Sequence, residues 1–248
     1  MSAAEAFWDD VAPMLATPPH DAAAQVAVAA MAQWSGVDGW AGKRVLDACA
    51  GLGRYALACA EAGAVVTAND VSAERLAGLA VRAAERGVMV ELLCADARAL
   101  AVEQGFDIVL LGGNMPGLWM SEDEDLRLFA SLASAVVDGG LLMVDLVTRE
   151  QEMASFEPVV FAERRGMVVT ERRSWMGYYE GFRVELSAHC DGGFWHHGFE
   201  RAVRSLGEWE SLLARTGWQV VERYEGFTPR RLERGSSRTG LLLRRGAP

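Results

Sequence analysis

The sequence predicts an α/β protein built on a doubly wound, mostly parallel sheet, and two observations carry that expectation. From Lys43 to Asp145, short continuous apolar runs alternate with helical stretches, at a period of roughly 20–30 residues. Runs of that kind are buried on both faces, as happens when helices sandwich a parallel sheet. Between residues 155 and 204 the pattern changes to polar–apolar alternation broken by glycine turns. That reads as an inserted antiparallel sheet, or cap.

Residues 1–38 are alanine-rich and interrupted by Pro13, Pro18 and Pro19. Phe7, Trp8, Val11, Met14 and Leu15 have helical spacing, as do Ala22, Val26, Ala29, Ala30 and Gln33. Two amphipathic helices with a Pro-Pro joint are expected, forming a helical lid. The first strand runs over 44–49 and turns through Gly51-Leu52-Gly53 into a helix that Gly63 stops. A second strand over 64–69 ends at Asp70, and Ser72 caps a helix that Gly87 ends. The third strand spans 88–93 and closes at Asp96, and the fourth spans 106–111. Ser121-Glu122-Asp123-Glu124 has capping-box spacing and starts a helix through Val137, ended by Gly139-Gly140. A fifth strand covers 141–145. Inserted strands are expected over 159–161, 167–172, 183–188 and 195–204. Ser205 and Glu208 again have capping-box spacing, and strands over 218–224 and 238–243 close the chain. One domain results: the lid, a core of 40–150 and 205–246, and the insertion at 155–204.

Composition narrows the function classes. The net charge of −10 argues against a nucleic-acid partner. No apolar run approaches the roughly 20 residues of a spanning helix. The opening Met1-Ser2-Ala3-Ala4-Glu5 lacks the basic-then-apolar order of a signal peptide. Cys49, Cys59, Cys94 and Cys190 form no CxxC and read as free thiols of a reducing, cytoplasmic compartment. No His, Asp or Glu cluster has metal-ligand spacing, so no metal is expected. Lys43 is the only lysine among 24 basic residues, which points to a GC-rich bacterial genome.

The chemistry concentrates after the first strand. Asp47 precedes Cys49-Ala50-Gly51-Leu52-Gly53. In an open α/β sheet ligands bind beyond the carboxyl ends of the strands. Glycines there admit a ligand to the backbone, beside the free N–H groups of a helix start. Taken alone, Gly51-x-Gly53-x-x-Ala56 with Asp70 also fits a dinucleotide fingerprint, the mark of an NAD-dependent oxidoreductase. Asp47 at the lip of the loop separates the two, because a carboxylate repels a pyrophosphate and welcomes an ammonium group. Asp47 could also simply cap the following helix, and Asp107, at the start of a strand, reads as pinning a turn.

Residues 45–54, Val-Leu-Asp-Ala-Cys-Ala-Gly-Leu-Gly-Arg, resemble the first motif of class I S-adenosylmethionine-dependent methyltransferases, with Cys49 where many members have glycine or alanine. Asp70-Val71-Ser72 resembles the second motif, whose acid binds the ribose hydroxyls, and Cys94-Ala95-Asp96-Ala97-Arg98 the third, whose Asp holds the adenine amino group. Residues 105–109 with Gly112-Gly113-Asn114 resemble the fourth-strand motif beside the transferred methyl, and Asp138-Gly139-Gly140 the turn into strand five. Residues 208–222 resemble the family's last helix and antiparallel strand pair. The resemblance implies a seven-stranded sheet with an antiparallel last strand, S-adenosyl-L-methionine as cofactor, and methyl transfer to an O or N atom of a small molecule by in-line displacement. A relative that binds the cofactor without transferring methyl is the alternative. The implied cofactor-binding residues are Asp47, Cys49, Ala50, Gly51, Gly53, Asp70, Val71, Asp96, Ala97, Arg98, Gly112, Gly113 and Trp8, the last in the segment that often folds over the cofactor.

For the acceptor side, Asn114 and Trp119 follow strand four, and the insertion supplies Tyr179 and Arg183 as substrate contacts. His196, His197 and Tyr178 are the candidates for proton transfer. The two histidines are adjacent on a strand and face opposite sides, so at most one can meet a pocket. The edge of the inserted sheet must be covered or paired, which suggests a homodimer.

Overall fold

The structure is a computed structural model that describes residues 21–35, 39–102, 105–164, 167–190 and 193–246. Seven strands form the main sheet: β1 (Arg44–Ala48), β2 (Val65–Asp70), β3 (Val90–Cys94), β4 (Phe106–Leu111), β5 (Val136–Leu146), β10 (Trp218–Glu225) and β11 (Thr239–Arg245). Their order is β10-β11-β5-β4-β1-β2-β3. β1 pairs in parallel with β2 and β4, β2 with β3, and β4 with β5. β11 is antiparallel to both β5 and β10. The expected seven-stranded sheet with an antiparallel last strand is therefore present.

Alternation along each strand feeds two cores. Val45, Val66, Leu110, Met143 and Leu242 point to one face, where α1 (Asp21–Ser35), α2 (Arg54–Glu61) and α3 (Ala73–Arg86) add Met31, Leu57 and Leu79. Leu46, Val109, Leu142, Val144 and Leu243 point to the other, against Leu128 and Phe129 of α4 (Glu122–Ala135) and Trp209 of α6 (Leu206–Arg215). Strands buried on both sides are the physical content of the continuous apolar runs.

The caps largely match the sequence signals. Ser72 Oγ accepts from the Arg75 N–H, and Gly87 takes the left-handed conformation that ends α3. Ser205 and Glu208 form a reciprocal capping box on α6. Ser121 accepts no such bond; four acids, Glu122 to Asp125, complement the dipole of α4 instead. That helix also ends sooner than the sequence suggests. The β-branched pair Val136-Val137 is poorly suited to a helix, and Val136 is buried in extended form beside Phe106. Gly139, at φ +73°, then marks a break in register within β5.

The insertion begins after α5 (Arg149–Ala154), a one-and-a-half-turn helix that the sequence did not announce. β6 (Val159–Arg164), β7 (Met167–Met176), β8 (Gly181–Cys190) and β9 (Gly193–Ala202) form an antiparallel meander in that order. All four expected strands are present, most of them longer. One face carries Val169, Phe182, Val184, Leu186 and Ala188. The insertion is fixed to the core just after β9. Ala202 N–H donates to Gly117 O (2.7 Å), and Arg204 pairs with the fully buried Asp125 (2.5 Å). Asp125 also accepts from the Gly117 N–H (2.9 Å), so one carboxylate ties α4, the loop after β4 and the insertion together. Arg204→Met should lower stability by about 3 kcal/mol, because it strands that carboxylate without its cation. Urea unfolding would measure the loss, and a cost below about 1 kcal/mol would show that the tie is dispensable.

Residues 1–20, and with them Trp8 and the first half of the expected lid, lie outside the described residues. The second half is α1. It packs on α2 and the sheet, and Trp34 stacks on Tyr224 with ring centroids 3.9 Å apart. The small faces of Ala24 and Ala27 allow that approach, which makes α1 part of the core.

Candidate active site

β1 carries Asp47 one residue before its end, and the chain then turns through three left-handed residues, Cys49 (φ +56°), Gly51 (+57°) and Gly53 (+72°). Glycine is required at Gly53 on two counts: its φ is positive, and a Cβ there would meet the Leu79 side chain at 2.2 Å. The loop lies on β2, where Ala50 N–H donates to Asn69 O (2.7 Å). It also lies on Asp70, whose Oδ2 accepts from the Gly51 N–H (2.7 Å) and whose Oδ1 accepts from the Ser72 N–H (3.0 Å). Asp70 thus shapes the loop and still has lone pairs for a ligand.

Asp47 Oδ2 accepts from the Ala56 N–H (2.9 Å), so the helix-cap reading of this acid is correct as far as it goes. Burial raises its pKa to about 7, opposed by that hydrogen bond and by Arg54. Such an acid, buried at a cavity wall and half-ionised near neutrality, is poised to take a cation. Burial also pushes the Cys49 thiol well above its ordinary range. Asp107 accepts from the Arg44 N–H (2.8 Å), a structural role that ties the start of β4 to the start of β1 where a pinned turn was expected.

Two cavities meet at Cys49, Arg75 and Met115. The smaller, about 50 Å³, lies between Asp70-Val71, Asp96-Ala97-Arg98 and Trp119. Asn69 also lines it, with a buried Oδ1 that has no hydrogen-bond partner. Asp96 is chelated by Arg98 through Nε (3.0 Å) and Nη2 (2.6 Å), and that guanidinium holds its carboxyl below the usual range. Arg98 in turn bonds Glu124 (2.6 Å) and lies 4.8 Å above the Trp119 ring.

The larger cavity, about 620 Å³, opens from the glycine loop toward the insertion. Its floor is Asp47, Cys49, Ala50, Gly112, Gly113 and Asn114. Gly112 admits Tyr55, which a Cβ would meet at 2.4 Å. Asn114 sits at φ +57°, locked by its own N–H to Asp145 O (3.2 Å) and by Val147 N–H to its Oδ1 (2.9 Å). The far wall comes from alternate residues of the inserted sheet: Glu171 and Arg173 of β7, Phe182 and Val184 of β8, Phe199 and Arg201 of β9. Buried Glu152 from α5 completes it.

The cofactor-side residues read from the sequence therefore converge, apart from Trp8, which is not described. Asp47, Cys49, Ala50, Gly112 and Gly113 line the larger cavity, and Asp70, Val71, Asp96, Ala97 and Arg98 the smaller, with Gly51 and Gly53 in the loop between; of the residues expected at the acceptor, Asn114 lines the larger cavity and Trp119 the smaller. The insertion residues expected at the acceptor do not line either cavity. Tyr178 and Tyr179 lie in the β7–β8 turn, Tyr178 being 89% exposed. Arg183 faces outward and pairs with Glu200 (2.6 Å). His196 is on the same outer face, stacked on Phe194. His197 has the parity of Phe199 and Arg201 but lies farther along β9, packed on Trp195. Arg54, Arg75, Glu152, Glu171, Arg173 and Arg201 were not singled out as site residues. The i, i+2 pairs 171/173, 182/184 and 199/201 mark the cavity face in the sequence, but only once the sheet's orientation is known. Among the described residues no group of three His, Cys, Asp or Glu side chains is placed to hold a metal, and no helix is long and apolar enough to cross a membrane.

Residues 45–140 match the family model described as a methyltransferase domain. A cypemycin N-terminal methyltransferase from a Streptomyces species is 34% identical over 104 residues, which is 42% of this chain and 42% of that protein. An S-adenosylmethionine-dependent methyltransferase from Clostridium acetobutylicum superposes with a TM-score of 0.79 at 12% identity, over 98% of this chain and 97% of that one. CalS10, an amino pentose methyltransferase from Micromonospora echinaspora solved with S-adenosylmethionine bound, gives 0.67 at 19% identity, over 99% and 97%. Sheet order, glycine loop and strand-end acids define the fold of class I S-adenosylmethionine-dependent methyltransferases, and residues 45–140 carry the match to a methyltransferase domain.

The residues present fit that cofactor. Asp47 suits the ammonium of the methionine part, and Asp70 the ribose. Asn69 Oδ1 is a buried acceptor in the small cavity without a donor. Arg54, lining the larger cavity beside Tyr55, suits the carboxylate. When bound, S-adenosylmethionine supplies a methyl group already activated by its sulfonium.

Proposed function

We propose that the chain transfers that methyl group, by in-line displacement, to an O or N atom of a small molecule held in the larger cavity, and that the atom is an amine nitrogen. One observation carries the reading: the cavity joins the glycine loop and the end of β4 to a wall holding the carboxylates of Glu152 and Glu171. Of the two, Glu171 is paired with Arg173 (2.6 Å), so Glu152, beside the aromatic rings of Phe182 and Phe199, is the carboxylate that attracts an ammonium group and gives its proton a destination. The remaining lining residues orient the acceptor and exclude water. The names of two relatives, one acting at an N-terminus and one on an amino pentose, point the same way.

Calorimetry with S-adenosylmethionine and S-adenosylhomocysteine tests the cofactor side. A screen of amines and alcohols for methyl transfer from labelled cofactor tests the acceptor. Micromolar binding with amine-only turnover is expected; alcohol-only turnover would overturn the choice of nitrogen. The acidic net charge supports a small-molecule acceptor over a nucleic acid. A homodimer through the inserted sheet is part of the same reading. β6 is an edge strand, and Phe161 on it is 69% exposed. Light scattering should give about twice the chain mass at micromolar concentration, and a monomer would dismiss the dimer.

A further inference from the structure

We propose that the acceptor carries a carboxylate and that the guanidinium of Arg201 receives it, which makes the substrate class an amino acid or a peptide-like amino acid. The proposal deepens the function proposed above and rests on its placement of the acceptor in the larger cavity.

Arg201 lies on the cavity face of β9, paired in register with Phe182 of β8. Its Nη2 donates to the carbonyls of Asn114 and Pro116, both at 3.0 Å. Its Nε is buried without a partner. Neighbouring arginines are matched with acids: Arg173 with Glu171 (2.6 Å), Arg238 with Asp145 (2.7 Å) and Arg204 with Asp125 (2.5 Å). Among the described residues Arg201 has no such ion pair.

That is an expensive arrangement for a folded chain. Burial pulls the Arg201 guanidinium down to about 10; Glu152 opposes it, while Arg238 and Arg173 add to it as like charges and Asp125 opposes it weakly. It is still cationic at neutral pH. A largely desolvated cation with no acid in ion-pair contact is destabilising. Two backbone carbonyls and the nearby Glu152 offset part of that, and the carbonyls orient the side chain, but among the described residues no acid contacts the guanidinium. A bound carboxylate supplies the missing charge.

The surroundings select the kind of anion. Phe182 and Phe199 wall the recess and keep it poor in water, which strengthens a single ion pair. Glu152 and Glu171 line the same cavity beside Arg173, so this wall presents both signs of charge. A monoanion that also carries an amine satisfies both sets of charges, with its carboxylate on Arg201 and its nitrogen toward Glu152.

The test follows the arginine side-chain Nε–H signals of the protein saturated with S-adenosylhomocysteine, by ¹H–¹⁵N correlation spectroscopy. The Arg201 signal is assigned through bonds and checked by its loss in Arg201→Lys. Phenylacetate and phenylacetamide, which share an aryl group and differ in charge, are titrated in turn. A saturable shift of the Arg201 signal with phenylacetate, at least tenfold weaker with the amide, is the expected result. Equal shifts with both, or an unmoved Arg201 signal in a sample that binds S-adenosylhomocysteine, would overturn the carboxylate assignment alone. Failure of S-adenosylhomocysteine to bind by calorimetry would remove the cofactor reading and this proposal with it.

Discussion

Asp70→Ala is expected to weaken S-adenosylhomocysteine binding by about a hundredfold or more. The carboxylate is buried at the end of β2 and already accepts the Gly51 and Ser72 N–H groups. It lines the smaller cavity, and the resemblance to the second motif implies that it takes the ribose hydroxyls there. Hydrogen bonds to a charged group are worth about 1.5–3 kcal/mol each, and two of them correspond to roughly a hundredfold or more in affinity. The substitution also leaves the Gly51 N–H without its acceptor, which loosens the loop beneath the ligand. Two variants separate these effects. Asp70→Asn can keep one loop hydrogen bond but loses the charge, so it should fold nearly as well as the parent and bind at an intermediate level. Calorimetry reads the affinities and thermal melting reads the fold. An Asp70→Ala protein that binds within threefold of the parent would show that the ribose lies elsewhere.

The contrast between the two sides of the cavity explains what a single sequence can carry. The cofactor side is written in local signals. Gly51 and Gly53 stand where the backbone turns left-handed, and Asp47, Asp70 and Asp96 lie at the carboxyl ends of three consecutive strands of one sheet. Period and turn chemistry give the strands, parallel packing gives their common end, and the acids then converge without further information. The acceptor side depends on how a second sheet is seated. Strand alternation places His196 and His197 on opposite faces, but the height of each residue above the cavity is set by tertiary ties such as Arg204 to Asp125 and Ala202 to Gly117. Those ties set the strand so that Phe199 and Arg201, not His197, reach the cavity. Glu152 lies on a helix too short to show a period at all. Arg54 and Arg201 read in sequence as two of many arginines, and only their place on the cavity wall distinguishes them from the rest.

Asp47 should give the protein two opposite pH dependences from one carboxyl group. Its folded pKa is raised by burial to about 7, above the value near 4 of an unfolded aspartate. Between those values the folded state binds the extra proton, so stability must fall as pH rises from about 4 to about 7. The shift of about three units corresponds to a loss on the order of 4 kcal/mol, complete above pH 7. Thermal melting of the ligand-free protein should therefore show a downward slope across that window from this group. Asp47→Asn, which can still accept the Ala56 N–H, should flatten it and melt higher than the parent at pH 8. Cofactor binding should run the other way. The ammonium of S-adenosylmethionine prefers the ionised carboxylate, so affinity should rise about tenfold from pH 5.5 to pH 7, with protons released on binding. Above about pH 8 the ammonium loses its own proton and the gain ends. In Asp47→Asn the affinity should be lower at pH 7 and almost independent of pH over this range. A parent protein whose affinity is flat from pH 5.5 to pH 7 would mean that Asp47 serves only as a helix cap and that the ammonium is held elsewhere. A variant that binds as tightly as the parent at pH 7 would mean the same. Observed together, the falling stability and rising affinity would trace the role of Asp47 to its burial: the environment that disfavours the bare carboxylate is what makes the cationic ligand its preferred partner.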